Sequence, residues 1–168
     1  MSNPLLVHAV VVTYHPDWDR LSRALSSLAP QVARVIVVDN GGQVARLEEL
    51  TNRIAPGRSR VLGQAGNVGM AAAQNCGIRD ARTGGASHVL LLDDDSVPAP
   101  HMVERLLAAM DKEASAGARV AAAGPVCWLG CRDGRRVEGC ECCCRVRRAA
   151  GLGAGNRGAV HGKAVQGE

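Results

Sequence analysis

An α/β fold, a mostly parallel sheet flanked by helices, follows from three features of this sequence. Short apolar stretches rich in β-branched residues alternate with amphipathic stretches at helical spacing. The connections between them are brief. The apolar stretches are also hydrophobic at consecutive positions rather than at every second one, which marks strands buried on both faces, as in a sheet with helices above and below.

Val7 to Thr13 is the first such strand, ending at Tyr14-His15-Pro16. Asp17 can cap the helix that follows, in which Leu21, Ala24, Leu25 and Leu28 share one face, and Pro30 marks its end. Val35 to Val38 is a second buried strand, closed by Asp39-Asn40-Gly41-Gly42. Val44, Leu47, Leu50 and Ile54 then mark a short amphipathic helix that ends before Pro56-Gly57. Arg60 to Leu62 suits a brief third strand. An Ala-rich helix is predicted from about Val68 to Arg82, before Gly84-Gly85. His88 to Leu92 is the next strand and runs directly into Asp93-Asp94-Asp95-Ser96. A helix starting near Pro98 or Pro100 carries Val103, Leu106, Leu107 and Met110 on one face, and Arg119 to Ala123 is the last strand.

Composition bounds what such a chain can be. With 168 residues, 46% apolar and 21% charged, it suits one globular domain and is neither disordered throughout nor long enough for two comfortable ones. Apolar runs such as Ala9 to Val12 and Val89 to Leu92 fall far below the roughly 18 residues of a membrane-spanning helix. The N-terminus has no Lys or Arg before its apolar stretch and no small-residue cleavage pattern, so a cytoplasmic location is expected. Tyr14, Trp18 and Trp128 are the only aromatic residues, leaving the core to Val, Leu, Ile and Ala. Residues 1–126 hold twelve Lys or Arg against twelve Asp or Glu, so the formal charge of +4 belongs entirely to the remainder.

In open parallel sheets ligands gather beyond the carboxyl ends of the strands. Three strand ends stand out there: Thr13-Tyr14, Asp39-Asn40 and Asp93-Asp94-Asp95. Adjacent carboxylates repel one another, and a hard divalent cation such as Mg2+ or Mn2+ would relieve that repulsion while also meeting substrate phosphates. In extended chain Asp93 and Asp95 point the same way and Asp94 the other, which makes the alternating pair the better ligand set. The plainer alternative is an acidic turn that caps the next helix; the position at the end of an apolar strand favours the metal. Asp39 can bond a base or ribose, or can serve only its own Asp-Asn-Gly-Gly turn. Asn67, in Gly66-Asn67-Val68-Gly69, can cap a helix whose free amides favour an anion such as a diphosphate, although a loop that needs positive φ would look the same. No GxGxxG follows the first strand and no GxxxxGK[ST] occurs anywhere, so hydride transfer and P-loop hydrolysis lose support. His15 and His88 lack a Ser or Cys nucleophile elbow beside them and are read as structural.

These motifs together resemble the donor-binding half of a family 2 glycosyltransferase with the GT-A fold, most closely the bacterial rhamnosyltransferase branch. The resemblance rests on VVVTYHPD (Val10 to Asp17), VIVVDNGG (Val35 to Gly42), GNVGMAAAQNCGI (Gly66 to Ile78) and LLLDDDSVP (Leu90 to Pro98), and covers about residues 7–126. It implies a Rossmann-like sheet that stops after the nucleotide-binding half. It also implies that Thr13 and Tyr14 line a nucleotide pocket, that Asp39 bonds a pyrimidine base, and that Asn67 and Gly69 lie against the nucleotide. Asp93 and Asp95 match the family's DxD pair: Asp95 is the direct metal ligand, and Asp93 lies nearer the ribose and diphosphate, with Asp94 between them. The rhamnosyltransferase branch often has Gln in that middle place. The implied reaction is inverting transfer of a sugar from a nucleoside diphosphate to an acceptor hydroxyl in cell-envelope polysaccharide synthesis. The donor favoured is dTDP-rhamnose, with a UDP-sugar as the alternative, and the acceptor is a glycan or a lipid-linked glycan. No nucleic acid is expected as partner, and peripheral membrane contact is left open. The family's catalytic base lies well downstream of the DxD pair, and no residue here is assigned to it.

Residues 127–168 depart from that pattern. They carry Cys127, Cys131, Cys140, Cys142, Cys143 and Cys144, eight basic against four acidic side chains, and no credible helical or strand periodicity. A zinc module would want paired C-x2-C knuckles, which the C-x3-C, C-x8-C and CxCCC spacings do not give. A disulfide framework would want an export signal. The abrupt Arg, Gly, Ala and Cys enrichment is instead read as a frameshift product without a native fold. On that reading the chain can hold a nucleotide sugar and metal while transferring nothing. A metal-binding regulatory role through the Cys cluster is the remaining alternative.

Overall fold

The computed structural model describes residues 7–125 and the backbone of two short strands, 144–148 and 164–166. The elements in chain order are β1 (Val7–Thr13), α1 (Trp18–Leu28), a single 3-10 turn (Ala29–Gln31), β2 (Arg34–Asp39), α2 (Val44–Ile54), β3 (Ser59–Gly63), α3 (Met70–Thr83), β4 (His88–Asp93), α4 (Met102–Ser115), β5 (Val120–Pro125), β6 (Cys144–Arg148) and β7 (Ala164–Gln166). Among the described residues they form one sheet in the order β3-β2-β1-β4-β7-β5-β6. The pairs β3-β2, β2-β1 and β1-β4 are parallel, while β7 is antiparallel to both β4 and β5, and β6 is antiparallel to β5. The α/β class and the mostly parallel sheet are therefore as the sequence predicts.

Alternation along the central strands divides the core in two. Ala9 and Val11 of β1, with Val35 and Val37 of β2, pack against Leu21, Leu25 and Leu28 of α1, Leu47 of α2 and Leu106 of α4. Val10 and Val12, with Ile36 and Val38, pack on the opposite face against Ala73 and Ala81 of α3. Both faces of β1 are covered, so all seven of its residues are buried. The α3 face is lined by Ala73, Gly77 and Ala81, one helical turn apart, and this stripe lets the helix lie close to the sheet. A Cβ at Gly77 would stand 2.3 Å from Val10 Cγ1 and 3.1 Å from Val38 Cγ2.

Asp17 caps α1 as expected, accepting from the backbone N–H groups of Asp19 and Arg20 at 3.0 and 3.1 Å. Arg46 of α2 stacks 3.8 Å over the Trp18 ring and ties α1 to α2. Two helices start later than the sequence pattern suggests. Gly69 holds φ 84°, outside the helical region, so α3 begins at Met70 rather than Val68. The carbonyls of Pro98 and Ala99 accept from Ser27 Oγ at 2.7 Å and Gln31 Nε2 at 3.1 Å, and His101 takes a left-handed φ of 61°. These long-range bonds hold residues 98–101 as a strap across α1, and α4 begins only at Met102.

β6 and β7 lie where the sequence shows no strand periodicity: an edge strand and an inserted strand are defined by their pairing, not by an alternation of their own. Apart from the backbones of β6 and β7, the zinc, disulfide and frameshift readings of residues 127–168 fall on residues outside the described ones. Among the described residues no helix is long and apolar enough to cross a membrane.

Two outcomes follow from this packing. Gly77→Ala gains helix propensity but must displace α3 from β1, and is expected to lower stability by about 1–3 kcal/mol in urea unfolding followed by circular dichroism. His8, buried on β1, and the partly buried His88 on β4 both have pKa values below the ordinary 6.5. Desolvation is the main cause in each, with the Arg34 guanidinium adding to it at His8, while Asp80 and Asp111 oppose it at His8 and His88 respectively. The unfolded chain then binds protons below 6.5 that the folded chain does not. Stability is full above that value and is lost as pH falls through the folded-state pKa values. The urea midpoint should decline on acidification from about pH 7.5 to about pH 5.5, and His8→Leu should flatten that decline.

Candidate functional site

From β1 the chain builds outward to β2 and β3, then crosses back to place β4 on the other side of β1. This reversal makes β1-β4 the switch point of the sheet, where successive connections diverge and leave a crevice beyond the carboxyl ends. Thr13 pairs with Asp39, Asp39 with Gly63, and Val12 with Asp93, so the strand ends finish almost level. Asp39 and Asp93 flank β1, two strand widths or roughly 10 Å apart.

Asp39 is 1% exposed. Its Oδ1 accepts from Gly41 N–H at 2.9 Å and its Oδ2 from Gln43 N–H, so the carboxylate closes the Asp-Asn-Gly-Gly turn. Its backbone carbonyl accepts from Gln64 N–H at 3.0 Å. Each carboxylate oxygen retains further acceptor capacity. Gly41 is needed for close approach, since a Cβ there would lie 3.2 Å from the backbone N of His15. Thr13 is fully buried and its Oγ1 has no hydrogen-bond partner among the described residues. Tyr14 is 52% exposed, with its ring edge-on to His15 at 4.3 Å between centroids.

Asn67 does not cap α3. Its Oδ1 accepts from Gly69 N–H at 3.0 Å and from Asn40 Nδ2 at 2.8 Å, which closes a local turn two residues before the helix. The helix itself is capped by Gly69 with no side-chain hydrogen bond, and Met70, Ala71 and Ala72 in its first turn are exposed. Free amides at an exposed helix start favour an anion.

The acidic triplet does not stay extended. β4 ends at Asp93, and Ser96 N–H donates to the Asp93 carbonyl at 3.2 Å, which puts Asp94 and Asp95 in a turn. The simple alternation of side chains expected through Asp95 is broken there. Asp95 is exposed and Asp93 partly buried. The pKa of Asp94 is raised by burial, then by the charges of Asp95 and Asp93, against which its carboxylate accepts hydrogen bonds from its own and the Tyr14 backbone N–H. Among the described residues no group of three or more His, Cys, Asp or Glu side chains is arranged to hold a metal.

The strand ends thus bring Thr13, Tyr14, Asp39 and Asp93–Asp95 to one edge, and Asn40 attaches Asn67 and Gly69 to it. Sequence reasoning missed the part played by Asn40: DNGG signals a turn but not the loop that its second residue reaches. It also missed an apolar rim, since Tyr14, Val68, Met70 and Val97 are the exposed large hydrophobic residues among the described ones and each follows a strand or precedes or opens a helix at this edge. His88 is bonded to Ser87 Oγ at 2.9 Å, away from the edge. A separate cavity of about 1060 Å3, lined among others by Pro30, Gln31, Pro100, Leu107 and Lys112, includes none of the strand-end residues.

Comparison with known proteins agrees with this geometry. The profile described as Glycosyl transferase family 2 matches residues 9–126. The dTDP-rhamnosyl transferase RfbF of Shigella flexneri is 34% identical over 120 residues, which are 71% of this chain and 38% of that protein. The crystal structure of S. aureus TarS 1-349 in complex with UDP-GlcNAc superposes with a TM-score of 0.54 at 19% identity, over 69% of this chain and 32% of that one. The 4-diphosphocytidyl-2C-methyl-D-erythritolsynthase of Anaerococcus prevotii DSM 20548 superposes with a TM-score of 0.56 at 10% identity, over 98% and 73% of the respective chains. At these identities the two structures share a fold with this chain, which spans little more than a third of RfbF. The match across the strand ends, the 66–69 loop and the acidic turn shows that the chain belongs to glycosyl transferase family 2.

Proposed function

We propose that residues 1–126 are the donor half of an inverting glycosyltransferase that takes a sugar from a nucleoside diphosphate for cell-envelope polysaccharide synthesis. The observation that carries this reading is the convergence of the Asp39 turn, the 66–69 loop and the acidic turn at the β1-β4 switch point. Asp39 would accept from the base with the acceptor capacity left by Gly41 and Gln43, beside Thr13 and the exposed Tyr14 ring. Asn67 and Gly69 would bring the start of α3 against the diphosphate. Donor preference for dTDP-rhamnose over a UDP-sugar is supported by the identity to RfbF. A cytoplasmic site of action and a glycan or lipid-linked acceptor belong to the same proposal.

The donor set of the acidic turn fits a hard cation. Burial and then the charges of Asp95 and Asp93 raise the pKa of Asp94, and Asp93, partly buried, and Asp95, exposed, would offer carboxylate oxygens to the ion. They supply only part of a coordination shell, which suits Mg2+ or Mn2+ sharing its sites with diphosphate and water. When bound, such an ion stabilises charge on the departing nucleoside diphosphate.

Calorimetric titration with dTDP and UDP, each with and without Mn2+ or Mg2+, tests the proposal. Metal-dependent binding is expected, stronger for dTDP. Asp93→Ala and Asp95→Ala should each weaken binding with metal roughly tenfold or more, equal to about 1.4 kcal/mol, and change metal-free binding little. Unchanged affinity with Mn2+ in both variants would remove the acidic turn from the site. A second reading, that the chain holds the donor without transferring the sugar, is favoured by the absence of an assigned catalytic base among the described residues. Incubation of the labelled donor with a range of acceptors separates the two, since only transfer gives labelled product.

A further inference from the structure

Asn40 is 4% exposed, yet its side chain faces a loop whose residues 65–69 are all exposed. Its backbone N–H donates to the Thr13 carbonyl at 2.9 Å, its Oδ1 accepts from Val68 N–H at 2.9 Å, and its Nδ2 donates to Asn67 Oδ1 at 2.8 Å. Among the described residues, the hydrogen bonds that join 65–68 to another element both come from Asn40. The orientation of its amide is fixed at both ends. Val68 presents a donor, and Asn67 Oδ1 must remain an acceptor because Gly69 N–H also donates to it. A flip of either amide would set donor against donor, and an Asp at position 40 would set oxygen against oxygen.

We infer that Asn40 is the positioning residue of the donor site: from the buried end of β2 it holds the 66–69 loop in the shape that receives the nucleoside diphosphate, and so sets nucleotide affinity without touching the nucleotide. This rests on the donor reading above. Without the two bonds, no hydrogen bond among the described residues ties the loop at 65–68 to another element. The order it must have when ligand is bound would then be gained on binding, at the expense of affinity. A network satisfied at every member, as here, is rigid; one missing member leaves Val68 N–H and Asn67 Oδ1 to water and the loop to fluctuate.

The test measures amide hydrogen exchange of Val68 and Gly69 in the free protein, together with calorimetric affinity for dTDP and UDP in Mn2+. For Asn40→Ala, exchange at both amides should accelerate and affinity should fall, each by roughly tenfold. Asn67→Ala removes one of the two bonds, that from Asn40 Nδ2, from an exposed position that the core tolerates, so its faster exchange, read together with affinity because Asn67 itself lies at the proposed diphosphate site, covers the case in which Asn40→Ala does not fold. Asn67→Asp keeps the acceptor and should retain slow exchange. Exchange and affinity both unchanged in Asn40→Ala and Asn67→Ala would overturn the inference. Faster exchange with unchanged affinity would overturn it equally, because Asn40 would then be merely structural. Failure of the unmutated chain to bind either nucleotide would remove the donor reading and this inference with it. Binding by the unmutated chain and by both Ala variants with equal affinity would remove the inference alone.

Discussion

The parallel pairing of β1 with β4 is the constraint on which the carboxyl edge depends. β1 carries helices on both faces and a parallel strand on each side, so its position is fixed from four directions. β4 takes its register from β1, and the register sets Asp93 at the end of β4 beside Val12, one residue short of Thr13. A slip of one residue would turn Leu90 and Leu92 out of one core layer and Val89 and Leu91 out of the other. It would also carry the acidic turn away from Tyr14. The hydrophobic pattern of β4 therefore sets the position of three charged residues that contribute nothing to the core.

On that edge, polar groups are placed mostly by bonds to backbone amides. Asp39 closes its own turn, Asn40 reaches the 66–69 loop, and Asp94 accepts from Tyr14. Backbone amides move only with their elements, so these bonds join loops more firmly than pairs of long side chains would. The small-residue stripe of α3 serves the same end from below. Close packing by Ala73, Gly77 and Ala81 brings the start of the helix to the edge while Met70, Ala71 and Ala72 stay exposed.

Most of this fold was legible because the strands are simple. Val7–Thr13 and Arg34–Asp39 are β-branched runs that have no good alternative to a sheet, and Leu21, Ala24, Leu25 and Leu28 could only be a helix face. The helix starts at Met70 and Met102 were less legible. Each is set by partners distant in sequence: Asn40 for the loop before α3, Ser27 and Gln31 for the strap before α4. No local propensity encodes such partners. β6 and β7 were illegible for a related reason, since three to five residues such as Ala164–Gln166 become a strand only through what they pair with. At the site, the residue types and their strand ends could be read from the motifs. The division of labour among three identical aspartates could not.

That division comes from the turn. Asp93 is the last residue of a paired strand, Asp95 is exposed, and Asp94, partly buried between them, accepts from the Tyr14 backbone N–H. The structural demand at the middle position is thus an acceptor that reaches the end of β1, and it couples the acidic turn to the strand on which the whole edge depends. A carboxylate meets that demand at the expense of its own burial first and then of repulsion from its two neighbours, which together raise its pKa. A carboxamide meets it as well, through its carbonyl oxygen and without the charge. A Gln at this place would therefore answer the same geometric requirement as the Asp94 found here.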